Sequence, residues 1–337
     1  MSIFETIIQP DTFDVLIKIG IILLKIVIVV AAAMLHVMYA TYFERKSIGH
    51  MQVRLGPMEV GPHGVLQPIA DGVKLFFKED IIPADADKPV FYIAPVISLV
   101  AALSSLSVIP FFKGFVIANI NIGLLFILAM SSLGAYGIII SGWASNSKYS
   151  FLGGLRSSAQ VISYEIAMGL SLVGVMMMAG SLNISDIVNA QAAYPLRVYA
   201  IPQMLGFFVF MVAGIAETNR APFDLPEAES ELVAGYFVEY SGIRFAMFYL
   251  SEYIGMIVIS LIAVVCFLGG WSGPFDIPYV PFAWLLLKVY FFIFFYYWIR
   301  ATLPRYRYDQ LMSLGWKLLI PLALLNIVIT GIAKLML

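Results

Sequence analysis

The sequence predicts an all-α integral membrane protein with about eight transmembrane helices and a cytoplasmic-side amphipathic helix in the first loop. Of its 337 residues, 61% are hydrophobic and 12% are charged, against roughly half and a quarter in soluble globular proteins. The mean hydropathy is +0.92. The apolar residues fall into separate runs of about 20 residues, the length that crosses a bilayer. We expect one polytopic domain over residues 1–337, because no linker, internal repeat or low-complexity tract interrupts the chain.

Eight apolar runs are long enough to span the membrane. They cover residues 14–41, 91–111, 118–142, 160–180, 202–218, 244–268, 281–302 and 317–336. The even number places both termini on the same side. Most lysine and arginine residues lie in the loops after helices one, three, five and seven, so the positive-inside rule predicts that these loops face the cytoplasm and both termini face outside. The first run is interpreted as a retained helix rather than a cleaved signal.

Several classes of site are excluded by composition and spacing. The net charge of −1 argues against nucleic-acid binding. Cys266 is the single cysteine, so the chain forms no disulfide of its own and no cysteine-ligated iron–sulfur cluster. His36, His50 and His63 lack the spacing of a metal site. No glycine-rich phosphate loop follows a strand, so we expect no nucleotide site.

The first loop, residues 42–90, contains the predicted amphipathic helix. Apolar residues recur at helical spacing over 65–77, with Asp71 and Lys74 between them, which is typical of a helix at the membrane interface. It is either a plain anchor or part of a functional site, and the dense charge around Asp71 favours the second interpretation. The Glu44-Arg45-Lys46 sequence marks the expected end of helix one.

The chain is organised around a polar stretch, residues 217–240. It holds six acidic residues, Glu217, Asp224, Glu227, Glu229, Glu231 and Glu239. Pro222 and Pro226 are expected to end one helix and begin another. Asp224 and Glu227 have the spacing of a capping box.

Glu227 and Glu231 have i,i+4 spacing, which would place them on one helix face. Two carboxylates at such a short distance repel each other, so one would remain protonated near neutral pH. The structural alternative is that acids at a helix N-terminus suit its dipole. Because Arg220 is the one nearby base in the sequence, the run as a whole favours a functional role.

Two glutamates are predicted at membrane depth. Glu165 lies about five residues into helix four and Glu252 about eight residues into helix six, at depths of about 7 and 12 Å. A carboxylate in hydrocarbon costs several kcal/mol unless it is paired, hydrated or protonated. Lys288 in helix seven is the candidate base at a similar depth, and snorkelling to the interface is the structural alternative. With the acidic stretch, these residues predict proton handling coupled to a partner docked in the cytoplasm. The last polar loop, residues 298–317, is either a docking face for that partner or a collar for lipid headgroups.

Four long stretches closely resemble the H-type membrane subunit of respiratory complex I, the family of mitochondrial subunit 1. They are ERKSIGHMQVRLGPMEVGPHGVLQPIADGVKLFFKED, SGWASNSKYSFLGGLRSSAQVISYEI, AETNRAPFDLPEAESELVAGYFVEY and WIRATLPRYRYDQLM. The similarity covers nearly the whole chain. It implies a membrane subunit of a proton-pumping NADH:quinone oxidoreductase, at the junction with the hydrophilic arm. That subunit forms much of the chamber for ubiquinone or menaquinone and the start of a glutamate-lined proton path.

The resemblance also implies roles for individual residues. Those assigned to the quinone channel and its mouth are Glu44, Arg45, Arg54, Asp71 and Phe223. Those assigned to the acidic loop and the proton path are Glu165, Glu217, Glu227, Glu229, Glu231 and Glu252. Helix three, NIGLLFILAMSSLGAYGIII, lacks an acid that some relatives carry there.

The resemblance implies that the chain binds no cofactor, and that NAD, FMN and iron–sulfur clusters belong to partner subunits. The expected partners are hydrophilic-arm subunits on the cytoplasmic loops, small and antiporter-like membrane subunits, quinone and lipid. The expected location is the bacterial plasma membrane, with the mitochondrial inner membrane as the alternative.

Three other functions remain as alternatives. A secondary transporter usually shows internal repeats and broken helices, and neither is visible in the sequence. A homologous anchor of a proton-pumping hydrogenase would use no quinone. A purely structural anchor would have dispensable buried acids. The complete run AETNRAPFDLPEAESELVAGY favours the quinone-linked complex over all three.

Overall fold

A computed structural model describes residues 10–193, 198–227, 229–273 and 280–336, with the side chains of these ranges except at 10–13, 229 and 230. Apart from an isolated bridge between Phe112 and Phe115, the regular structure of these residues is helical, as predicted. The helices are α1 Pro10–Met51, α2 Gln67–Phe77, α3 Lys88–Ser105, α4 Gly123–Ala144, α5 Lys148–Ala179, α6 Ile184–Ala192, α7 Met204–Glu217, α8 Glu229–Leu232, α9 Gly242–Phe267, α10 Pro281–Thr302, α11 Tyr308–Leu314 and α12 Ile320–Met336.

Seven helical stretches of the described chain are long and apolar enough to cross a membrane. They are Asp14–Met51, Lys88–Val108, Gly123–Ala144, Lys148–Ala179, Gly242–Phe267, Pro281–Thr302 and Tyr308–Met336. In the last, a π-helical turn at Gly315–Leu319 joins α11 to α12. Helix α7 is apolar but has only 14 residues, about 21 Å at 1.5 Å per residue. The protein is therefore a multi-pass membrane protein of about eight spans, as predicted.

Two helices extend well beyond their predicted ends. Helix α1 continues to Met51 rather than ending at residue 41, so Glu44 and Arg45 project from a continuous helix and do not mark its end. Helix α5 begins at Lys148 rather than at residue 160, so the predicted polar loop there is mostly helical. Helix α6 was not predicted. Hydropathy identifies the part of a helix that lies in hydrocarbon but does not identify its polar continuation outside the membrane.

The glycines of α5 bring other segments close to its backbone. A Cβ atom on Gly153 would lie 2.7 Å from Tyr236 N and 2.9 Å from Pro226 O, and one on Gly142 of α4 would lie 2.5 Å from Ser150 O. A pair of glycines such as Gly153-Gly154 is typical of a hinge or of a close backbone approach, and here the structure shows the close approach. The acidic stretch is consequently packed directly on α5.

Helix α9 lies at the centre of the bundle. Every residue from Met256 to Phe267 is buried, and α9 packs against α3 and α10 while α5 packs against α4, α7 and α12. Helix α1 lies at the edge against α10, and its residues 14–24 are exposed. The charged groups carried by α9 are thus enclosed by protein, whereas the outer half of α1 presents an apolar surface of the kind that lipid covers.

The predicted amphipathic helix is confirmed as α2, beginning two residues later than expected. Its apolar side chains Ile69, Val73 and Phe76 are 45%, 50% and 74% exposed, as a helix that lies on a membrane surface requires. The end of α2 is tied to the start of α9, because Ser241 Oγ donates to Glu79 O and accepts from the backbone N–H of Ile81, both at 3.0 Å. This joins the first loop to the helix that carries Glu252.

Candidate functional site

A buried network of charges lies where α1, α9 and α10 meet the loop after α7. Glu44 of α1 is 3% exposed. Its carboxylate accepts from Arg300 of α10, from Arg220 Nη1 at 3.2 Å and from the hydroxyl of Tyr253 at 2.5 Å. A buried carboxylate is stable only with such compensation, so the long α1 helix delivers Glu44 to two guanidinium groups from distant parts of the chain.

Arg220 connects this network to the second membrane glutamate. Its Nε lies against Oε1 of Glu252, as an ion pair rather than a directed hydrogen bond, because Nε has no hydrogen-bond partner. Its guanidinium also stacks 4.3 Å from the ring centroid of Tyr253, which adds a cation–π contribution. Two carboxylates therefore face two guanidinium groups in a network whose charges nearly cancel.

A polar cavity of about 360 Å³ adjoins the network. It is lined by Glu44, Arg45, Arg54, Tyr249, Tyr253 and Arg300, among others. Arg45 also pairs with Asp71 of α2, with 2.7 Å between Nη1 and Oδ2. The structure thus brings four of the residues assigned to the quinone channel to this cavity or its edge.

The other membrane glutamates form a second cluster. Ser131 of α4 donates to Glu217 at the end of α7, and Ser132 donates to Glu165 of α5 at 2.9 Å. The two carboxylates are close enough to interact electrostatically. Within the described residues neither has a basic partner, so this cluster, unlike the first, has carboxylates without counter-charges.

A smaller cavity lies between the two clusters. It has a volume of about 100 Å³ and is lined by Ser131, Glu217, Asn219 and Glu252 together with apolar side chains. Although most of its lining is apolar, the cavity has room for several water molecules beside its polar groups. Oε2 of Glu217 and Oδ1 of Asn219 are buried and have no hydrogen-bond partner, so both can accept from water.

The acidic loop contributes Asp224 and Glu227 to the edge of the first network. Burial raises the pKa of Glu227 well above its usual value; the carboxylates of Glu252 and Asp224 raise it further, while Arg220 and Arg300 oppose the rise. Burial also raises the pKa of Asp224. Protons are therefore retained in this loop at a higher pH than an exposed carboxylate would allow.

Comparison with known proteins identifies the family. The sequence profile described as NADH dehydrogenase matches residues 24–331. A relative from Geobacter metallireducens, named as an H-type subunit of NADH-quinone oxidoreductase, is 54% identical over 329 residues, covering 92% of this chain and 94% of that one. Relatives with the corresponding name from Magnetococcus marinus (53%; 92% and 90% covered) and Rickettsia typhi (54%; 95% of each) are equally similar. The chain belongs to the NADH dehydrogenase family. The resemblance read from the sequence is confirmed.

For this NADH dehydrogenase family member, three expectations about the acidic loop are wrong. No helix begins at Asp224, because residues 221–227 form turns and bends and the next helix is α8; Asp224 instead pairs with Arg305, 2.9 Å from Nη2 to Oδ2. Glu231 does not pair with Glu227 but lies half-exposed, 2.5 Å from Arg156. Arg220 is thus one of several bases around the stretch. The side chain of Glu229 lies outside the described residues.

Lys288, the candidate base for Glu252, has other partners. Lys288 is not the partner of Glu252, since its ammonium group donates to the carbonyls of Leu268, Gly270 and Ser272 at 2.6, 3.1 and 2.7 Å. Lys288 thus satisfies carbonyls that follow the end of α9. Phe223, assigned to quinone binding, does not line the 360 Å³ cavity.

Instead, the Phe223 ring is buried 5.9 Å from the ring of Tyr164 and 5.4 Å from that of Tyr306. Its backbone also accepts a hydrogen bond from the buried side chain of Gln160. Phe223 therefore anchors the start of the acidic loop against α5 and the segment before α11.

Sequence reasoning missed several residues of the site. Tyr249 and Tyr253 lie four residues apart on α9, one turn along the same face, and their hydroxyl oxygens are 2.9 Å apart. The sequence feature that could have identified them is their position within one helical turn of Glu252. Ser131 and Ser132 are an adjacent polar pair in an apolar helix. No three histidine, cysteine or acidic side chains of the described chain are placed to hold a metal ion.

Proposed function

We propose that this chain forms the quinone chamber of a proton-pumping NADH:quinone oxidoreductase and the first part of its proton path. The observation that carries the proposal is the 360 Å³ cavity beside the buried Glu44–Arg220–Glu252 network. The relatives of the chain are named as H-type subunits of NADH-quinone oxidoreductases, and these names support the same proposal.

The chamber has the chemistry that a quinone head requires. Quinone carbonyl oxygens accept hydrogen bonds, and the residues that line the cavity include Arg45, Arg54 and Arg300, whose guanidinium groups donate, and the tyrosines Tyr249 and Tyr253. Precisely directed polar groups in a cavity orient a ligand whose remaining surface is apolar. The isoprenoid tail would extend toward the bilayer near α1 and α2.

Reduction of the quinone is coupled to the network through charge. Quinone takes two electrons, supplied from a cluster in a partner subunit, and two protons to become quinol. Tyr253 is held by Glu44, which shares Arg220 with Glu252. A charge or proton change in the chamber therefore alters the attraction between Arg220 and Glu252, since coupled ionisable groups titrate as a unit.

The proton path continues from this network into the membrane subunit. Water in the 100 Å³ cavity would connect Glu252 to Glu217, and Glu217 lies near Glu165. Glu227, beside Glu252 and Asp224, responds to the same charge changes from the side of the acidic loop.

The cytoplasmic loops would dock hydrophilic-arm subunits that hold NADH, FMN and iron–sulfur clusters, so this chain binds no cofactor itself. Small and antiporter-like membrane subunits would pack beside it and receive the signal from Glu165. The bacterial sources of its relatives support a location in the bacterial plasma membrane. The clustering of basic residues in alternate loops supports an orientation with both termini on the periplasmic side.

Replacing Arg45 with alanine tests the chamber. Loss of a charge-assisted hydrogen bond to quinone should raise the KM for quinone about tenfold. The measurement is inhibitor-sensitive NADH:quinone reductase activity in membranes, with a short-chain and a long-chain quinone, and with assembly checked on a native gel. Lys46→Ala is the matched control, because Lys46 neighbours Arg45 but does not line the cavity. Equal quinone kinetics in both variants would refute the placement of the quinone head.

A further inference from the structure

We propose that Ser131 and Ser132 of α4 are positioning residues of the proton path, each holding one glutamate, and that the Ser132 hydroxyl lets Glu165 gain and lose a proton without losing its hydrogen bond. This inference rests on the proposed function. Helix α4 contains no acidic residue, and this adjacent serine pair supplies polar contacts in a largely apolar helix.

The serine hydroxyls are the contacts that orient the two carboxylates. One oxygen of each carboxylate is bonded to its serine. The other, Oε2 of Glu217 and Oε1 of Glu165, is buried and has no partner in the described structure. Because a carboxylate without a guanidinium partner is free to rotate, the serine bond determines where its second oxygen points.

Ser132 has a second acceptor within reach. Its Oγ lies 2.9 Å from Oε2 of Glu165 and 3.1 Å from the carbonyl oxygen of Leu128. A serine hydroxyl has one proton to donate and two lone pairs that accept. It therefore donates either to Glu165 or to Leu128 at any moment.

These two arrangements correspond to the two protonation states of Glu165. When Glu165 is ionised, Ser132 donates to it. When Glu165 is protonated, its carboxyl O–H donates to Ser132 Oγ while Ser132 donates to Leu128 O. The heavy atoms stay in place, and no buried donor is left unpaired in either state. Proton transfer therefore avoids the free-energy cost of leaving a buried donor without a hydrogen bond.

Ser131 has a different role. Glu217 is its hydrogen-bond acceptor in the structure, and both residues line the cavity shared with Glu252. Ser131 therefore fixes Glu217 at the end of the cavity, whereas the Ser132–Glu165 pair lies outside its lining. A proton passing inward would leave the Glu217 carboxyl and bind the Glu165 carboxylate, with no electron moved.

Ser132→Ala tests the inference in the assembled complex. We expect coupled NADH:quinone turnover to fall about tenfold, because Glu165 loses the bond that serves both of its states. The pH profile of the remaining proton pumping should shift to higher pH, since the hydroxyl bond to the ionised carboxylate is charge-assisted and stronger than the bond to the protonated form. Ser132→Thr, which keeps the hydroxyl, should restore both.

Ser141→Ala is the matched control, because Ser141 lies on the same helix, donates to the backbone carbonyl of Ile138 at 2.7 Å and does not line the cavity. Proton uptake is measured in inverted vesicles, and NADH oxidation by a water-soluble acceptor reports an intact hydrophilic arm. If Ser132→Ala pumps with the native rate and pH profile, the inference is overturned. Should it fail to assemble, Ser132→Cys, a near-isosteric weak donor, carries the same expectation and the same refutation.

Glutamate variants distinguish failure of the serine role from failure of the proposed proton path. If Glu165→Gln and Glu217→Gln abolish pumping while Ser132→Ala pumps normally, only the serine role falls. If the glutamate variants also pump normally, the proposed proton path falls with it.

Discussion

Replacing Arg220 with methionine perturbs the buried ion-pair network most severely. Arg220 is 7% exposed, and the side chains of Glu44 and Glu252 are 5% and 10% exposed. Removing one partner of a buried pair costs about 3–5 kcal/mol, because the other charge is left uncompensated. Arg300 still pairs with Glu44, so the cost falls on Glu252. We expect about 3 kcal/mol, which is more than about a 100-fold change in equilibrium.

The assay is the fraction of complex assembled on a native gel together with the midpoint of its thermal disassembly in detergent. The double variant Arg220→Met/Glu252→Gln removes both charges and should recover most of the loss. Arg156→Met is the control: its pair with Glu231 is partly exposed, with 29% and 50% of the two side chains accessible, and should contribute under about 1 kcal/mol. If Arg220→Met resembles the control, or if the substitutions at Arg220 and Glu252 simply add, the pairing does not stabilise the protein.

Three further predictions concern the acidic loop, the start of α10 and the packing on α5. Protonated Glu227 stabilises the fold fully below its ordinary pKa of 4.5, and that contribution is lost as pH rises through its raised pKa. Glu227→Gln should therefore gain thermal stability relative to the native complex as pH rises above 4.5, and a difference that stays constant with pH would contradict burial of the carboxyl. Lys288→Met leaves three backbone carbonyls without their donor and should lower the free energy of unfolding by about 1–3 kcal/mol. An unchanged thermal midpoint would show that these hydrogen bonds do not stabilise the protein. Gly153→Ala forces a Cβ against the backbone of the acidic loop and should lower stability by about 1–3 kcal/mol and reduce NADH:quinone turnover, so native turnover and stability would contradict the close contact.

Hydropathy and helical spacing were sufficient to predict the membrane fold. Each apolar run of spanning length corresponds to a helix, and the amphipathic pattern of 65–77 corresponds to α2. The helix ends were less predictable, as α1 and α5 show, because their polar continuations are stabilised by packing on neighbouring segments. At Gly153 that packing depends on the absence of a side chain, and a glycine pair in a sequence does not distinguish a close approach from a hinge.

The site was only partly predictable for a related reason. Glu165 and Glu252 are acids within apolar helices, so the sequence alone singled them out, whereas Glu44 was assigned through the family resemblance. Their partners are not conspicuous, because Arg220 lies in a loop that folds back into the bundle and 32 residues from Glu252. An estimate of depth along single helices therefore selected Lys288, whose ammonium group is instead occupied by backbone carbonyls.

The most direct test of the central claim is proton pumping by Glu217→Gln in inverted membrane vesicles, measured alongside inhibitor-sensitive NADH:quinone reductase activity. Glu217 lines the cavity that joins it to Glu252 and lies near Glu165, so a neutral amide there should interrupt proton transfer. We expect an assembled complex with pumping lost and quinone turnover reduced or uncoupled. An assembled complex with native turnover and native pumping would contradict it.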